Sequence, residues 1–245
     1  MKKLLIAILA LASSSVFAGG GGNVHLDHAD VDISDQASLQ RGANYFVNYC
    51  LNCHSMKYER WQRMQEFGIP EDLLKQHLMP SNAKPGDLMT TAMKTEDAAN
   101  WFGAPPPDLT LESRLRGDDW IYTYLRSFYI DESRPFGVNN IVFDKVGMPH
   151  VLWELQGMQK AVFEEHTDES GHESHIFKGF EMVKPGKLTA EQYDQMALDL
   201  TNFLSYMGDP SKLKRHALGI KVLLFLLIFF IFAYLLKKEY WKDVH

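Results

Sequence analysis

The stretch Cys50-Leu51-Asn52-Cys53-His54 contains both cysteines of the 245-residue chain. Its form, Cys-x-x-Cys-His, is the attachment sequence of c-type haem, in which each thiol bonds to the haem and the adjacent imidazole binds the iron. A zinc site would need further Cys or a His pair at ligand spacing, and a thioredoxin-like redox pair does not require the following His. The motif therefore predicts one covalently bound haem c, attached to Cys50 and Cys53, with His54 as an iron ligand.

The segment before this motif has the period of an amphipathic helix. Leu39, Ala43, Phe46, Val47 and Cys50 recur at steps of three and four residues. The pattern predicts a helix that ends at the motif and lays Phe46 and Val47 against the porphyrin.

A second iron ligand is expected beyond the motif, because an electron-transfer haem is commonly closed by a methionine. A backbone that approaches the haem closely favours a Met beside Gly or Pro. Met148, in Val146-Gly147-Met148-Pro149, and Met79, in His77-Leu78-Met79-Pro80, meet this condition. Residue chemistry favours Met148 and leaves Met79, His77 and His150 as alternatives.

The two ends of the chain predict export and a membrane anchor. Residues 1–18 have a basic start, a short apolar run and small residues before a cut after Ala18, as in a secretory signal rather than a short anchor. Residues 217–236 are apolar over a length of about 30 Å, which is the thickness of the hydrocarbon core of a bilayer. This match favours a membrane span over a buried core helix. Basic residues flank this span on both sides, so the positive-inside rule does not decide its orientation in the membrane. The secretory signal decides it instead. It places residues 19–211 and a basic stem, 212–216, in the periplasm and leaves 237–245 as a cytoplasmic tail.

The overall charge of −6 conceals an uneven distribution. Without the signal's two lysines, and without the seven basic and two acidic residues beyond position 211, the outer domain holds 16 basic and 29 acidic side chains, a net charge of −13. Such a domain argues against nucleic acid as a partner and favours a basic protein. The hydrophobic content of 46% excludes a disordered chain.

Three other segments give structural predictions. Thr189 and Gln192 form a capping box at the start of a predicted helix over 189–207. By resemblance to c-type cytochromes, we expect this helix to pack on the helix before Cys50. Residues 164–175 hold five acids and three histidines, and predict a solvated loop or hairpin tip. Metal binding by His166, His172 and His175, or a share in acidic docking, are the alternatives. Residues 57–100 read as an insertion with helical stretches.

The order of these features resembles the cytochrome c1 family, the haem subunits of cytochrome bc1 complexes, in its proteobacterial form. The resemblance covers the whole mature chain. It rests on Arg41-Gly42 before the Cys50 motif, on Pro106-Pro107-Asp108-Leu109 followed by two arginines, on Gly147-Met148-Pro149, and on the late helix with its C-terminal span.

The resemblance implies roles for particular residues. It makes Met148 the sixth iron ligand, and it assigns Arg116 to a haem propionate, with Pro107 and Tyr122 lining the pocket. A guanidinium suits a partly buried propionate because it is always charged and binds through two bonds. Arg114, Arg126 and Arg134 compete for that role. Asn100, before the Trp101-Phe102-Gly103 turn, is also expected to approach the haem.

The predicted fold is mainly α: a cytochrome c-type haem domain with loop insertions and one C-terminal transmembrane helix. The resemblance implies a single-pass protein of the cell inner membrane that accepts one electron from the Rieske iron-sulfur protein and passes it to a soluble basic cytochrome c. Cytochrome b is its expected membrane neighbour. The isolated chain would then be no enzyme but an electron-transfer subunit of ubiquinol-cytochrome c reductase. Free-standing anchored cytochromes that feed a terminal oxidase, and haem enzymes with an open sixth position, are the alternatives.

Overall fold

The computed structural model describes residues 24–167 and 173–243. The predicted signal segment, 1–18, the centre of the acidic and His-rich stretch and the last two residues of the tail lie outside the described residues, as do the side chains of 165–175.

Eight α-helices occur in the described part of the chain. They are α1 (Gln36–Tyr45), α2 (Glu71–Leu73), α3 (Thr95–Phe102), α4 (Glu112–Arg116), α5 (Asp118–Arg126), α6 (Trp153–Gln156), α7 (Ala190–Gly208) and α8 (Lys212–Tyr240). Short segments of other helix types extend or join them: π-helical turns at Phe46–Cys50 and Leu74–Leu78, and a 3₁₀ helix at Trp61–Phe67.

Within residues 24–167 and 173–243, six strands pair into three antiparallel two-stranded sheets. They are β1 (Met56–Arg60) with β2 (Leu88–Met89), β3 (Phe128–Ile130) with β4 (Val138–Asn140), and β5 (Gly157–Thr167) with β6 (Glu173–Pro185). The sheets are additions to a helical core, so the prediction of a mainly α fold is confirmed. The centre of the stretch predicted as a solvated loop or hairpin tip, 164–175, lies outside the described residues, but β5 and β6 pair on either side of it over a length well beyond that stretch.

The core is built where α1 crosses α7. Phe46 is fully buried and its ring lies 5.4 Å from that of Phe203, centre to centre. The backbones meet closely at Gly42, where an added Cβ would lie 2.1 Å from the carbonyl oxygen of Asp199. The predicted packing of these two helices is therefore confirmed, and Gly42 is required by the close approach.

Local signals set the ends of both helices. The Asp35 side chain accepts the Ser38 N–H at the start of α1. Thr189 and Gln192 exchange side-chain and backbone hydrogen bonds of 3.3 and 2.9 Å, which confirms the capping box of α7. These caps satisfy N–H groups that have no partner within the helix.

The last helix, α8, has none of its residues buried. It is long and apolar enough to cross a membrane. It begins after Gly208-Asp209-Pro210, where the Asp209 carboxylate accepts two hydrogen bonds from Arg215, of 2.9 and 2.6 Å. The stretch predicted as a basic stem is thus the first turn of this helix.

Candidate haem site

A cavity of about 330 Å³ lies beside the Cys50–His54 segment. Cys50, Cys53, His54, Met148 and Arg116 all line it. Most of the other lining side chains are apolar, and the volume is within the range of cofactor sites, about 300–1,000 Å³. Two thiols, an imidazole, a thioether and a guanidinium around one apolar cavity are the groups that a covalent haem needs, so the residues fit it.

The His54 ring is held in one tautomer. Its Nδ1 lies 2.8 Å from the carbonyl oxygen of Pro107, which can only accept, so Nδ1 carries the proton. The lone pair of Nε2 is then available to a metal. Burial lowers the pKa of His54 and keeps the ring neutral, as a metal ligand requires.

The two cysteines lack the environment of a reactive redox pair. Burial raises the pKa of the Cys50 thiol to about 12 and also raises that of Cys53. Redox-active Cys-x-x-Cys thiols have lowered pKa values instead. The shifts therefore disfavour the thioredoxin-like alternative.

The Pro106–Leu109 segment is fastened to the residues that follow the motif. Besides the His54–Pro107 bond, the Leu109 N–H donates to the Ser55 carbonyl at 2.9 Å. The Asp108 carboxylate accepts the Lys57 N–H at 2.7 Å. These bonds explain the Pro-Pro-Asp-Leu sequence: it forms a second wall that orients the imidazole.

Met148 reaches the cavity from the loop after β4. Val146, Gly147 and Pro149 line the cavity with it. Gly147 approaches the Phe102 carbonyl so closely that a Cβ would lie 3.3 Å from that oxygen. The alternative ligands lie elsewhere: Met79 is buried in the core, His77 is exposed, and His150 stacks on Phe128 at 4.9 Å.

Arg116 is the predicted arginine that the structure brings to the cavity. Its Nε donates to Glu112 at 2.7 Å, and its guanidinium lies 4.4 Å from the centre of the Trp120 ring. Of its competitors, Arg126 pairs with Asp27 and Asp194, and Arg134 donates to the Lys145 carbonyl. Arg114 packs beside Gly208.

Two predicted pocket residues are not brought to the cavity. Tyr122 lies on another face of α5, with its ring 4.6 Å from the Arg126 guanidinium. Asn100 is exposed, whereas Phe102 from the same helix lines the cavity. The expected contact of Phe46 and Val47 also differs, because Phe46 packs on Phe203 and Tyr49 lines the cavity instead.

Several lining residues were missed from the sequence. Trp120, Ile121, Tyr124 and Leu125 form one face of α5 toward the cavity. Their spacing of one and four residues is a readable helical stripe, and Tyr122 falls outside it. The position of this stripe on the helix would have predicted Tyr124, rather than Tyr122, as a residue that lines the pocket.

Comparison with known proteins gives a consistent picture. The sequence model of the cytochrome c1 family matches residues 29–244. Cytochrome c1 of Allochromatium vinosum is 56% identical over 247 residues, which cover both chains completely. A Nitrosomonas europaea protein named ammonia monooxygenase gamma subunit is 46% identical over 245 residues, covering all of this chain and 99% of its own. Cytochrome c1 of Rhodospirillum rubrum is 29% identical over 280 residues, covering all of this chain and 98% of its own.

Proposed function

This chain belongs to the cytochrome c1 family, and on that premise we propose that it is the haem-carrying electron-transfer subunit of a cytochrome bc1 complex. One observation carries the proposal: a single cavity gathers both thiols, the tautomer-fixed imidazole of His54 and the sulfur of Met148.

Each of these groups has a defined task. Cys50 and Cys53 would hold one haem c covalently, and His54 Nε2 and Met148 Sδ would bind its iron. When bound, the haem supplies one-electron redox chemistry. With an imidazole and a thioether both held for the iron, the chain would leave no position there for a substrate, and the work of its own residues would be to orient these two groups and exclude water.

Arg116 is the residue proposed to meet a haem propionate. Glu112 and the Trp120 ring orient its guanidinium at the cavity and use part of its donor capacity. The remaining N–H groups can bind a carboxylate, and the ring contact favours Arg over Lys.

The chain's ends set its place in the cell. We propose that residues 1–18 direct export and that 217–236, within α8, anchor the protein in the inner membrane. The haem domain, 19–211, and the stem, 212–216, then lie on the periplasmic side, and 237–245 lie in the cytoplasm. The continuous helix from Lys212 to Tyr240 supports the anchor.

The partners follow from the family and the charge. We propose the Rieske iron-sulfur protein as electron donor, cytochrome b as membrane neighbour and a soluble basic cytochrome c as acceptor. The net charge of −13 on residues 19–211 supports a basic acceptor, since opposite fields raise association rates.

Purification from native membranes in mild detergent tests this proposal. Co-elution with a b-type cytochrome and an iron-sulfur protein, with covalent haem on this chain, is the expected result. Recovery with a terminal oxidase would favour the free-standing anchored cytochrome. Recovery with monooxygenase subunits would favour the assembly named for the Nitrosomonas relative.

The ferric spectrum tests the closed site. A methionine-to-iron charge-transfer band and slow cyanide binding are expected. A missing band with rapid cyanide binding would instead indicate a haem enzyme with an open position.

A further inference from the structure

The sulfur of Met148 has a hydrogen-bond donor of its own. The Tyr124 hydroxyl donates to Met148 Sδ at 3.3 Å. A thioether sulfur has two lone pairs, so it can bind a metal with one and accept this hydrogen bond with the other.

The Tyr124 ring has little freedom to withdraw that hydroxyl. It stacks on Trp120, with ring centres 4.9 Å apart and planes at 11°. Phe128 packs edge-on against it at 5.2 Å. The side chain is therefore fixed by its neighbours, and its hydroxyl meets the sulfur in a preorganised position.

Asn140 ties the loop that carries Met148 to the helix that carries Tyr124. Its side-chain amide donates to the Tyr124 carbonyl at 2.8 Å. Its side-chain oxygen accepts the N–H groups of Val142 and Phe143, at 2.9 and 3.3 Å. Asn140 is almost fully buried, so these bonds are shielded from water.

Asn139 completes the fastening of this loop. Its side-chain oxygen accepts the N–H groups of Asn140 and Lys145, both at 2.9 Å. Its amide donates to Asp131 and Asp144. Lys145 has a positive φ of 58°, so the turn before Met148 is one that the asparagine must hold in place.

We propose that Tyr124 is a positioning residue that raises the redox potential of the haem through its hydrogen bond to Met148, and that Asn140 keeps the donor and the sulfur in register. The inference rests on the proposed function, because it takes Met148 as the ligand. A donor on the free lone pair draws electron density from the sulfur. The sulfur then donates less to the ferric iron, which favours the reduced state.

Tyr124→Phe tests the inference in the full-length, haem-loaded protein, because it removes the hydroxyl and keeps the ring. Tyr122→Phe is the matched control, since it removes a hydroxyl from the same helix away from the cavity. We expect Tyr124→Phe to shift the reduction equilibrium toward the oxidised state by about two- to ten-fold, the range of one neutral hydrogen bond. Cyanide should also displace Met148 faster, while Tyr122→Phe matches the wild type in both measurements.

Asn140→Asp provides a second variant if Tyr124→Phe fails to load haem. It keeps the acceptor oxygen and removes the donor to the Tyr124 carbonyl, so faster displacement of Met148 by cyanide is expected; its new charge would lower the potential by itself, so cyanide displacement is the readout for this variant. An unchanged potential in Tyr124→Phe, or an unchanged rate of cyanide displacement where only Asn140→Asp loads haem, would overturn the inference, even if the protein melted at a lower temperature.

The wild-type spectrum separates this failure from that of the proposed function. If the wild type lacks the methionine-to-iron band, Met148 is not the ligand and the proposed site fails. If the band is present and Tyr124→Phe leaves the potential unchanged, only the role of Tyr124 is refuted.

Discussion

Replacing Asp199 should destabilise the crossing of α1 and α7 strongly. Its side chain is 2% exposed, and its carboxylate accepts bonds of 2.6 and 2.7 Å from Arg41. Ser38 and Gln195 donate to the same carboxylate at 2.7 and 3.0 Å. Asp199→Ala therefore removes four bonds at the point where the two helices touch.

The expected cost follows from the burial of the two partners. Breaking a buried ion pair by removing one side costs about 3–5 kcal/mol, because the other charge is left without a partner. The Arg41 side chain is 48% exposed and can regain water, so the cost should be near the lower end, about 3 kcal/mol. For a domain of this size that corresponds to a fall in Tm of about 6–12 °C.

Thermal unfolding of the full-length, haem-loaded protein in detergent measures this effect. Lys75→Ala is the control, because its pair with Glu71 is about half exposed on both sides and should contribute less than about 1 kcal/mol. Asp199→Asn should fall between the two, since its amide oxygen still accepts one bond. If Asp199→Ala and Lys75→Ala have the same Tm, the pair of Asp199 with Arg41 does not hold the two helices together and the reasoning is refuted.

Four further outcomes follow from the site and the charge. Met148→Leu should keep covalent haem and lower the redox potential sharply with loss of the charge-transfer band, whereas Met79→Leu, in the core, should leave both unchanged; equal titrations would remove Met148 as ligand. Arg116→Lys should lower the potential or weaken haem retention relative to Arg114→Lys, and identical behaviour would argue against the propionate contact. Electron transfer to a basic cytochrome c should slow as ionic strength rises, and a salt-independent rate would contradict electrostatic docking. Gly42→Ala should reduce the yield of folded holoprotein, because its Cβ would meet the backbone of Asp199 at 2.1 Å; a normal yield would show that the helices can separate.

The sequence was most informative where the chemistry is local. The Cys50–His54 motif, the capping box at Thr189 and the apolar run of α8 each depend on neighbouring residues, and all three have the predicted local structure. The surroundings of Met148 were also predictable, because Gly and Pro beside it signal a close approach of the backbone.

The positions of the two predicted pocket residues that lie away from the cavity have a physical explanation. Tyr122 and Tyr124 are both aromatic, and Gly117, with a φ of 93°, interrupts the helix after Arg116. The phase of α5 therefore cannot be carried over from Arg116. Similarly, Asn100 adjoins the right turn, but its position on α3 points it to solvent.

The long hairpin could not be predicted from hydrophobic periodicity. Its strands hold exposed apolar side chains, such as Phe163 and Met182, beside charged ones, so no clean alternation marks a buried face. The hairpin is defined by backbone pairing between its two strands. The pairing runs from Gly157 opposite Pro185 to Thr167 opposite Glu173, and it is not visible in a single sequence.

The π-helical turn at Phe46–Cys50 has a consequence for how this segment can change. Its bond from the Leu51 N–H to the Phe46 carbonyl, at 2.9 Å, spans five residues instead of four, so the turn holds one residue more than an α-helix would. Phe46 can thereby face the core while Cys50 reaches the cavity. Losing one residue here would restore a regular helix with little rotation of the haem-binding cysteines relative to α1, because the π turn accommodates its extra residue within a single turn. A one-residue deletion within this turn should therefore be tolerated better than one within α1, which would rotate the cysteines by about 100°.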